Sequence, residues 1–429
     1  MRSKARAAFL SARYRPDSRA SYRPQPTASV RRPGKPPVKV ITVEHVVVVG
    51  AGLAGLRTVE ALRAHGHAGR ITLIGRERHR PYDRPPLSKA VLSGKADTSY
   101  VETDLAALGV EFRPGVEAKS LREGVVETTE GELGYDGLVI ATGADPIRLP
   151  GDGPQHVLRT LDDAHELRAM LVPGARVAVI GAGWIGAEVA TAARRAGCEV
   201  TVIEAAEAPL ATAVGTEIGA RTERWYDGID LRLRTMVESV EEGGVRLVGG
   251  GFVEAHAVVT GIGVRPAVEW LADADIDLHN GVVADEHLRA SLPGVVAVGD
   301  CAAWWSRRWQ TRLRVEHWDT ALNAPDVAAA TLLGEQAVYD PVPYFWSEQF
   351  GHMVQYAGHH PAGRRLVHRG EPEGKWSAVW LTAGDTIAAV LAVDRPRDVV
   401  QGRRIIEAGH RVDTERLVDP QVSLRDCVV

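Results

Sequence analysis

The chain has 429 residues, too many for one ordinary hydrophobic core, so its length predicts two or three domains. Its composition is globular, with 45% hydrophobic and 25% charged residues, and no apolar run approaches the roughly 20 residues of a membrane span, which excludes membrane insertion. The formal net charge of −4 conceals a local +10 over residues 1–40, so the remaining chain sums to −14 and is acidic.

The basic segment 1–40 is rich in Pro and Ser and lacks a periodic apolar face, which predicts a disordered basic arm. An Arg-rich, acid-poor N-terminus is also typical of an organelle presequence, but the prolines interrupt an amphipathic helix. We therefore favour a cytoplasmic location, with targeting as the alternative. Nucleic-acid binding is not expected, because Phe9, Tyr14 and Tyr22 are the only aromatic residues of the arm.

The ordered part begins with a glycine-rich fingerprint. A β-branched run at 46–49 precedes Gly50, Gly52 and Gly55, and an alanine-rich stretch with helix-forming residues follows. This order predicts a strand, a tight turn and a helix, the arrangement in which glycines let the backbone approach a pyrophosphate and the helix N-terminus attracts it. A second strand is expected at 71–74. The sequence therefore predicts a dinucleotide site.

The segment 80–89 reads Arg-Pro-Tyr-Asp-Arg-Pro-Pro-Leu-Ser-Lys, and its prolines exclude the middle of a helix or strand. We expect a fixed loop at the carboxyl edge of the second strand, where open α/β sheets bind ligands. Arg84 and Lys89 would supply cationic donors to phosphate oxygens or to a flavin ring. Arg76 occupies the position at the end of that strand where an acidic residue is expected, and Glu77 is the nearest substitute.

A second copy of the fingerprint, Gly181, Gly183 and Gly186, stands 131 positions after the first and follows a β-branched run at 177–180. Before it, an apolar strand at 138–142, a crossover with three Pro or Gly residues and a helix at 162–171 are expected. Two copies in the correct context predict two dinucleotides, so the protein can hold an electron donor and an electron acceptor together.

Glu204 ends the strand expected at 199–203, about 20 residues after the second set of glycines. Its carboxylate is placed to accept hydrogen bonds from an adenosine ribose. No Arg lies between 205 and 210 to pair with a 2′-phosphate. NADH is therefore favoured over NADPH.

The chain then returns to strands at 258–263 and 295–300, the latter ending in Asp300. After residue 335 the pattern changes to strands at 379–381 and 387–393 and a helix near 397–408, which predicts a separate α+β domain.

The cysteines, Cys198, Cys301 and Cys427, lie far apart and form neither a disulfide framework nor a zinc site. No CxxC or CxxxxC pair is present, which removes the redox-active dithiol of thioredoxin- or glutathione-type flavin reductases.

Several motifs occur in one order along the chain. They are Gly50-Ala51-Gly52-Leu53-Ala54-Gly55, Pro81-Tyr82-Asp83-Arg84-Pro85-Pro86-Leu87-Ser88-Lys89, Ala141-Thr142-Gly143, Gly181-Ala182-Gly183-Trp184-Ile185-Gly186-Ala187-Glu188, Gly299-Asp300, Glu316-His317-Trp318 and Phe345-Trp346-Ser347. Together they resemble the FAD-dependent ferredoxin reductases of oxygenase and cytochrome P450 systems, with apoptosis-inducing factor as a distant relative. The likeness covers roughly residues 41–429, and two positions depart from it: Arg76, and Ala324-Pro325 where the family usually has Gln-Gly.

The resemblance implies an α/β fold with two Rossmann-like nucleotide-binding domains and a C-terminal α+β interface domain. The FAD-binding domain would be discontinuous, at 41–151 and 274–335, with the NAD-binding domain inserted at 152–273 and the interface domain at 336–429.

The resemblance also implies roles for individual residues. Lys89, Glu188, Glu316 and Trp346 would be catalytic, Lys89 and Glu188 forming an ion pair, and no metal would be bound. The residues expected to contact FAD or NADH are Gly50, Gly52, Leu53, Ala54, Gly55, Glu77, Arg84, Lys89, Ala118, Ala141, Thr142, Gly143, Gly181, Gly183, Ile185, Gly186, Glu188, Glu204, Gly263, Gly299, Asp300, Glu316, His317, Trp318 and Trp346.

The implied function is an FAD-containing reductase that takes hydride from NADH and passes single electrons to an iron–sulfur ferredoxin serving a cytochrome P450 or other oxygenase. A helix beginning near Asp319 would place its positive N-terminus against the reduced ring. A rubredoxin reductase, an NADH oxidase and a flavin-based redox sensor remain alternatives.

The segment 304–314 carries three Trp and four Arg, which indicates either a solvated loop or a positive docking patch for an acidic ferredoxin. A second set of arginines, Arg395, Arg397, Arg403 and Arg404, is the competing docking site.

Overall fold

The computed structural model describes residues 43–361 and 363–429. The predicted basic arm at 1–40 lies outside the described residues. None of the helices within the described ranges is long and apolar enough to cross a membrane.

The described residues form seven sheets and eight α-helices, with short 3-10 turns between them. The strands are β1 (His45–Val49), β2 (Arg70–Gly75), β3 (Val110–Pro114), β4 (Ala118–Arg122), β5 (Val125–Thr128), β6 (Gly131–Gly134), β7 (Gly137–Ile140), β8 (Ala144–Pro146), β9 (Arg176–Ile180), β10 (Glu199–Ile203), β11 (Asp230–Arg232), β12 (Val237–Glu241), β13 (Gly244–Leu247), β14 (Phe252–Glu254), β15 (Ala257–Thr260), β16 (Val264–Pro266), β17 (Val282–Ala284), β18 (Val295–Ala297), β19 (Ala302–Ser306), β20 (Thr311–Leu313), β21 (Tyr344–Gln349), β22 (His352–Gly358), β23 (Arg365–Arg369), β24 (Trp376–Leu381) and β25 (Ile387–Val393). The helices are α1 (Leu53–Ala64), α2 (Leu161–Met170), α3 (Trp184–Arg195), α4 (Ala211–Val214), α5 (Thr216–Ala220), α6 (Trp318–Leu332), α7 (Pro396–Ala408) and α8 (Thr414–Val418).

The first large sheet is parallel, with strand order β18-β7-β1-β2-β3. Val46, Val47 and Val48 of β1 are fully buried, as expected for a parallel strand whose two faces are both covered. Helices α1 and α6 pack together beside this sheet. Strand β18 comes from late in the chain, so the sheet is built from two separated segments.

The second large sheet, also parallel, has the order β11-β10-β9-β15 and carries α3. All four of its strands lie between the two segments of the first sheet. A short antiparallel ladder of β8 with β16 pairs Ala144–Pro146 with Val264–Pro266, where the chain leaves the first sheet region and returns to it. Two Rossmann-like units, one inserted in the other, are therefore confirmed as the architecture.

The third large sheet is antiparallel, with the order β21-β22-β25-β24-β23. Every residue of β24 and β25 is buried. One face packs against α7 and the C-terminal residues, and the other shares a continuous hydrophobic core with the second sheet and its helices. Because both faces are covered, these strands read as unbroken apolar runs rather than as alternating patterns. The predicted C-terminal α+β region is confirmed.

Two local expectations were wrong. Leu87–Val91 forms a π-helical turn instead of continuing the loop, and the prolines Pro85 and Pro86 precede this turn, where no backbone N–H is needed. The segment 304–314 is not a solvated loop, because β19 and β20 pair across it as a hairpin and Trp304 is only 1% exposed. Trp304 and Leu313, which face each other across the hairpin, are buried, whereas Arg307 and Arg308 at its turn are exposed.

Pro325, one of the two departures from the family pattern, lies inside α6 and is buried. The helix continues past it to Leu332. Proline removes one backbone donor from the helix, so tertiary packing against α1 must hold the helix through this position.

Candidate functional site

A cavity of about 470 Å³ opens where the carboxyl ends of the first sheet, the π-helical turn, and the N-terminal ends of α3 and α6 meet strand β21. Most of the residues predicted to bind a cofactor line it. They are Gly50, Gly52, Leu53, Ala54, Glu77, Arg84, Lys89, Ala118, Ala141, Thr142, Gly143, Ile185, Glu188, Gly299, Asp300, Glu316, His317, Trp318 and Trp346. Segments from all three large-sheet regions therefore contribute to one site.

The first glycine turn is built by close backbone approach. A Cβ on Gly50, whose φ is +112°, would lie 2.1 Å from the carbonyl oxygen of Ala141, and a Cβ on Gly55 would lie 1.9 Å from that of Gly50. At Gly52, by contrast, a Cβ would meet nothing within 4 Å. Gly50 and Gly55 are thus required by the protein's own packing, whereas Gly52 leaves open space on the cavity side of the turn.

The second glycine turn repeats this geometry. A Cβ on Gly181 (φ +95°) would lie 2.5 Å from the oxygen of Gly261, a Cβ on Gly186 would lie 1.9 Å from that of Gly181, and Gly183 faces open space. The surroundings differ, because none of these three glycines lines the cavity. Ile185, one residue before Gly186, is 41% exposed.

The helices that follow the two turns leave their N-terminal N–H groups without side-chain acceptors. The N-caps of α1 and α3 are Gly52 and Gly183, and neither helix has a capping side chain or an acidic residue in its first turn. Helix α2, by contrast, is capped reciprocally by Thr160 and Asp163. Free N–H groups and the positive end of the helix dipole suit a bound diphosphate.

Glu77, beyond the end of β2, accepts hydrogen bonds from the hydroxyl of Tyr82 and from Arg84, the latter at 2.7 Å. Burial alone would raise the pKa of Glu77, but the charge of Arg84 and these hydrogen bonds lower it below the usual value. Arg76 also lines the cavity, where it pairs with Asp145. Glu77 therefore lies at the cavity as an acceptor beyond the end of β2, and its role in binding FAD stays a prediction.

Glu204, at the end of β10, accepts hydrogen bonds from the backbone N–H groups of Ala182 (2.6 Å) and Ala206 (2.8 Å). Sequence reasoning missed Arg234, whose backbone N–H donates to the carbonyl of Ala206 at 2.9 Å and whose guanidinium lies 3.4 Å from Glu207. Arg234 follows β11, the strand that pairs with β10, so inspection of residues 205–210 alone could not reveal it.

Lys89 and Glu188 form the expected ion pair, with 2.8 Å between Nζ and Oε2. Glu188 is only 5% exposed. The lysine comes from the π-helical turn and the glutamate from α3, so the pair joins the first and second nucleotide-binding regions. The catalytic role of either residue stays a prediction.

Two more carboxylates that line the same cavity, Asp300 and Glu316, form ion pairs. Arg159 donates to Asp300 at 2.7 Å, and Arg314 donates to Glu316 at 2.5 Å. Burial raises the pKa of Glu316 despite the opposing charge of Arg314. Sequence reasoning missed Arg159, whose buried Nε has no hydrogen-bond partner in the described chain. Nothing in its local sequence marks it.

Aromatic rings cover the cavity from the side of β21. Phe345 has its ring centroid 4.5 Å from that of Trp184 and 4.6 Å from that of His317, and Trp346 lies 5.7 Å from Trp318. His317, the N-cap of α6, has its pKa lowered to about 4 by burial, and its Nδ1 has no partner among the described residues. A neutral imidazole with a free polar atom therefore faces the site.

Six predicted residues are absent from the lining of this cavity. Gly55 supports the first turn from below. Four more, Gly181, Gly183, Gly186 and Glu204, belong to the second fingerprint and the strand that follows it. Gly263 is also absent from the lining, and its carbonyl accepts from the N–H of Ile147 at 3.0 Å. The second fingerprint and helix α3 thus meet this cavity only at Trp184, Ile185 and Glu188.

Comparison with known families gives two matches. Residues 44–324 match the family described as pyridine nucleotide-disulphide oxidoreductase, and residues 344–428 match the family described as reductase C-terminal.

The chain is similar to several curated proteins over nearly its whole length. It is 37% identical to the ferredoxin–NAD(+) reductase component of the p-cumate 2,3-dioxygenase system of Pseudomonas putida, covering 90% of this chain and 99% of that protein. It is 38% identical to the corresponding component of the anthranilate 1,2-dioxygenase system of Burkholderia cepacia, with the same coverage.

Solved structures give the same result. A crystal structure of Fdr9 superposes with a TM-score of 0.87 at 52% identity, covering 89% of this chain and 99% of that one. The reductase in a covalent putidaredoxin reductase–putidaredoxin complex superposes with a TM-score of 0.86 at 33% identity, covering 90% and 98%.

Proposed function

Because this chain belongs to the pyridine nucleotide-disulphide oxidoreductase family, we propose that it is an NADH-dependent ferredoxin reductase that serves an oxygenase system. The observation that carries the proposal is the single cavity in which both nucleotide-binding regions and the aromatic strand β21 meet. Such a site holds a two-electron donor beside a resident acceptor and closes off water. The named relatives are reductase components of the same type.

The residues of the cavity fit FAD. The open space at Gly52 and the uncapped start of α1 would receive its diphosphate, and Glu77 would accept from the adenosine ribose. Buried polar atoms without partners at Arg159 and His317 offer donors or acceptors to the cofactor. FAD, when bound, takes a hydride and returns electrons one at a time, which the side chains cannot do.

The second fingerprint would bind NADH. The uncapped start of α3 would receive the diphosphate, with Gly183 leaving room for it, and Glu204 would accept from the ribose while repelling a 2′-phosphate. The nicotinamide end would then reach the cavity past Ile185 and Glu188, both of which line it.

The chain's own residues position and shield the reacting groups. Lys89 and Glu188 place opposite charges at one wall of the cavity, and Phe345 with Trp346 excludes water at another. The N-terminus of α6, capped only by backbone at His317, adds a positive dipole that stabilises negative charge by about 1 kcal/mol.

For ferredoxin docking we favour the exposed face of α7 over segment 304–314. Arg307 is paired with Glu286, and Arg308 donates to the carbonyl of Ile406, so both are already engaged. Arg397 and Arg404 of α7 are exposed and form no ion pair with any described residue. Positive charge that is free to meet an acidic partner raises the rate of encounter.

The α7 face also lies beside the aromatic residues of the cavity. A shallow surface cavity of about 300 Å³ is lined by Tyr344, Val400 and Arg404 among others, and the ring of Tyr344 stacks on that of Trp346 at 6.2 Å. An acceptor bound at α7 would therefore sit near the covered end of the FAD site. Charge reversal at Arg397 and Arg404 is expected to lower the ferredoxin association rate and its salt dependence, while reversal at Arg307 and Arg308 leaves both nearly unchanged.

The test of the proposed function measures cytochrome c reduction by the purified protein with NADH, with and without an added ferredoxin. Ferredoxin-dependent reduction supports the reductase. Reduction that requires rubredoxin supports a rubredoxin reductase, and rapid oxygen consumption without any carrier supports an NADH oxidase. Slow bleaching with persistent long-wavelength absorbance favours a redox sensor, and a protein that stays colourless with excess FAD contradicts all of these.

We also propose the domain limits 41–151 and 274–335 for FAD, 152–273 for NAD and 336–429 for the interface domain, supported by the strand membership of the three large sheets. A cytoplasmic location is proposed because NADH is an intracellular reductant and all three cysteines are free. Cell fractionation tests the location, and limited proteolysis tests the limits.

A further inference from the structure

The carboxylate of Glu188 is held by four donors, two on each oxygen. Oε2 receives Lys89 and the hydroxyl of Ser88, while Oε1 receives the hydroxyl of Ser347 at 2.6 Å and the backbone N–H of Glu348 at 3.3 Å. The first two donors come from the region that binds FAD. The other two come from β21, the edge strand of the third sheet.

The way β21 docks explains why these donors are in place. Successive backbone N–H groups on the free side of an edge strand need partners, and α3 supplies them from side chains one turn apart. Glu188 receives the N–H of Glu348, and the hydroxyl of Thr191 receives that of Phe350 at 3.0 Å. Ser347 then lies directly against Glu188.

Gln349 stands two residues after Ser347 on the same face of β21 and donates from Nε2 to the Ser347 oxygen at 3.0 Å. Both side chains are only 1% exposed. Because the Ser347 oxygen accepts from Gln349, its single proton is directed to Glu188. The Gln349 Oε1 is buried without a partner among the described residues. Because an unpaired buried oxygen is costly, the filling of space alone does not explain why a glutamine occupies this position.

We propose that Ser347 and Gln349 are positioning residues for hydride transfer, which fix the Glu188 carboxylate and through it the Lys89 ammonium at the cavity wall. The inference rests on the proposed function and extends it. It gives the interface domain at 336–429 a part in the reaction with NADH as well as in the transfer of electrons to ferredoxin. Without the Ser347 hydroxyl, Oε1 keeps only the long contact to Glu348, and the carboxylate can turn. Lys89 would then be held by contacts of 3.3 Å to Pro85 and Ser88.

The central variant is Ser347→Ala in the FAD-loaded full chain, with Ser377→Ala as its matched control. Ser377 is also a fully buried serine of the third sheet that donates to a buried carboxylate, Asp398, at 2.6 Å, but Asp398, unlike Glu188, does not line the cavity. The two variants therefore lose the same kind of hydrogen bond at different distances from the site.

Stopped-flow mixing with NADH measures the limiting rate of flavin reduction and the half-saturating NADH concentration. Ser347→Ala is expected to lower the limiting rate by about tenfold or more, the size of a lost hydrogen bond to a charged group, with little change in half-saturation. Ser347→Thr, which keeps the hydroxyl, is expected to restore most of the rate. Ser377→Ala is expected to leave both values at wild type.

Two readouts are independent of turnover. The flavin midpoint potential of Ser347→Ala is expected to fall, because the Glu188 charge loses a compensating O–H dipole. Acetylation of Lys89 by acetic anhydride, followed by mass spectrometry, is expected to become faster as the amine loses its fixed partner. Equal values in the Ser347 and Ser377 variants on all three measurements would overturn the inference.

Where Ser347→Ala fails to retain FAD, Gln349→Met serves instead, because Gln349 acts on Glu188 only through Ser347. It is expected to change the same three quantities in the same directions by smaller factors, and wild-type values would overturn the inference. Failure of the wild-type protein to reduce its flavin with NADH would instead refute the proposed function, which keeps the two failures distinct.

Discussion

The two glycine-rich units have nearly the same internal geometry and different surroundings. In each, two glycines are needed because backbone carbonyls approach within 1.9 to 2.5 Å of where a Cβ would be, and the middle glycine faces open space. The first unit opens into a cavity closed by aromatic residues of β21, whereas the second remains a surface. The motif therefore sets the backbone geometry of each turn, and the elements packed over it decide whether the turn opens into a cavity.

The carboxylates that follow the second strand of each unit also differ in how far they are enclosed. Glu77 is held by side chains, Arg84 and Tyr82, within the cavity. Glu204 is held by two backbone N–H groups beside an exposed turn. Backbone donors fix a carboxylate without enclosing it, which suits a ligand that enters and leaves at every turnover.

The largest expected effect comes from replacing the last glycine of each fingerprint, and it distinguishes the FAD unit from the NADH unit. Gly55→Ala and Gly186→Ala introduce the same clash, a Cβ 1.9 Å from a carbonyl oxygen, so each is expected to lower the unfolding free energy by about 3 kcal/mol. Gly55→Ala should also abolish FAD retention, whereas Gly186→Ala should keep FAD and lose reduction by NADH. Thermal unfolding and the 450 nm absorbance of the purified proteins measure the two outcomes. Loss of FAD from both variants would contradict the separation.

The middle glycines test ligand binding without a packing defect. Gly52→Ala and Gly183→Ala meet no protein atom within 4 Å, so the apoprotein should unfold at the wild-type temperature. The added methyl groups would occupy the space assigned to each diphosphate. Affinity should fall about 10- to 100-fold, for FAD in the first variant and for NADH in the second. Titration of apoprotein with FAD, and steady-state kinetics with NADH, measure these losses; unchanged affinities would show that the diphosphates bind elsewhere.

A smaller effect is expected at the exposed carboxylate of the second unit. Glu204→Ala should reduce the preference for NADH over NADPH by about tenfold, because the 2′-phosphate loses a repelling charge and the ribose loses an acceptor. Adding Glu207→Gln should reduce the preference further, since it releases Arg234, now 3.4 Å from Glu207. Comparison of kcat/KM for both nucleotides provides the measurement. Unchanged discrimination in both variants would remove Glu204 from the ribose site.

The last expected effect is confined to acid pH and concerns His317, which lines the cavity of the first unit. Burial lowers its pKa to about 4, whereas in the unfolded chain it titrates near 6.5, so the unfolded chain binds the proton first as the pH falls. The unfolding free energy of the apoprotein should therefore decline between about pH 6.5 and pH 4, and His317→Asn should flatten the decline. The exposed residue His410 gives the matched control, His410→Asn. Parallel curves for wild type and the His317 variant would contradict the assignment.

The elements of both units could be predicted because their determinants are local. The strand β10 and the helices α2 and α7 lie within one residue of their predicted bounds, since β-branched runs, caps and glycines act over a few residues. The local pattern failed at 304–314, where a segment rich in Trp and Arg forms a hairpin. It also failed at Leu87–Val91, where prolines precede a helical turn. In both cases tertiary contacts decided the conformation.

By itself, the sequence determined that two dinucleotides bind, where each glycine turn lies and which carboxylate follows each second strand, because these features depend on neighbours in the chain. Only the tertiary structure decided that one unit is enclosed and the other open. It also brought Arg159 to Asp300, Arg234 to the turn after Glu204, and Ser347 to Glu188 across 159 positions. Partners so far apart are joined by the packing of sheets and helices, and no local pattern of residue types specifies which side chains will meet there.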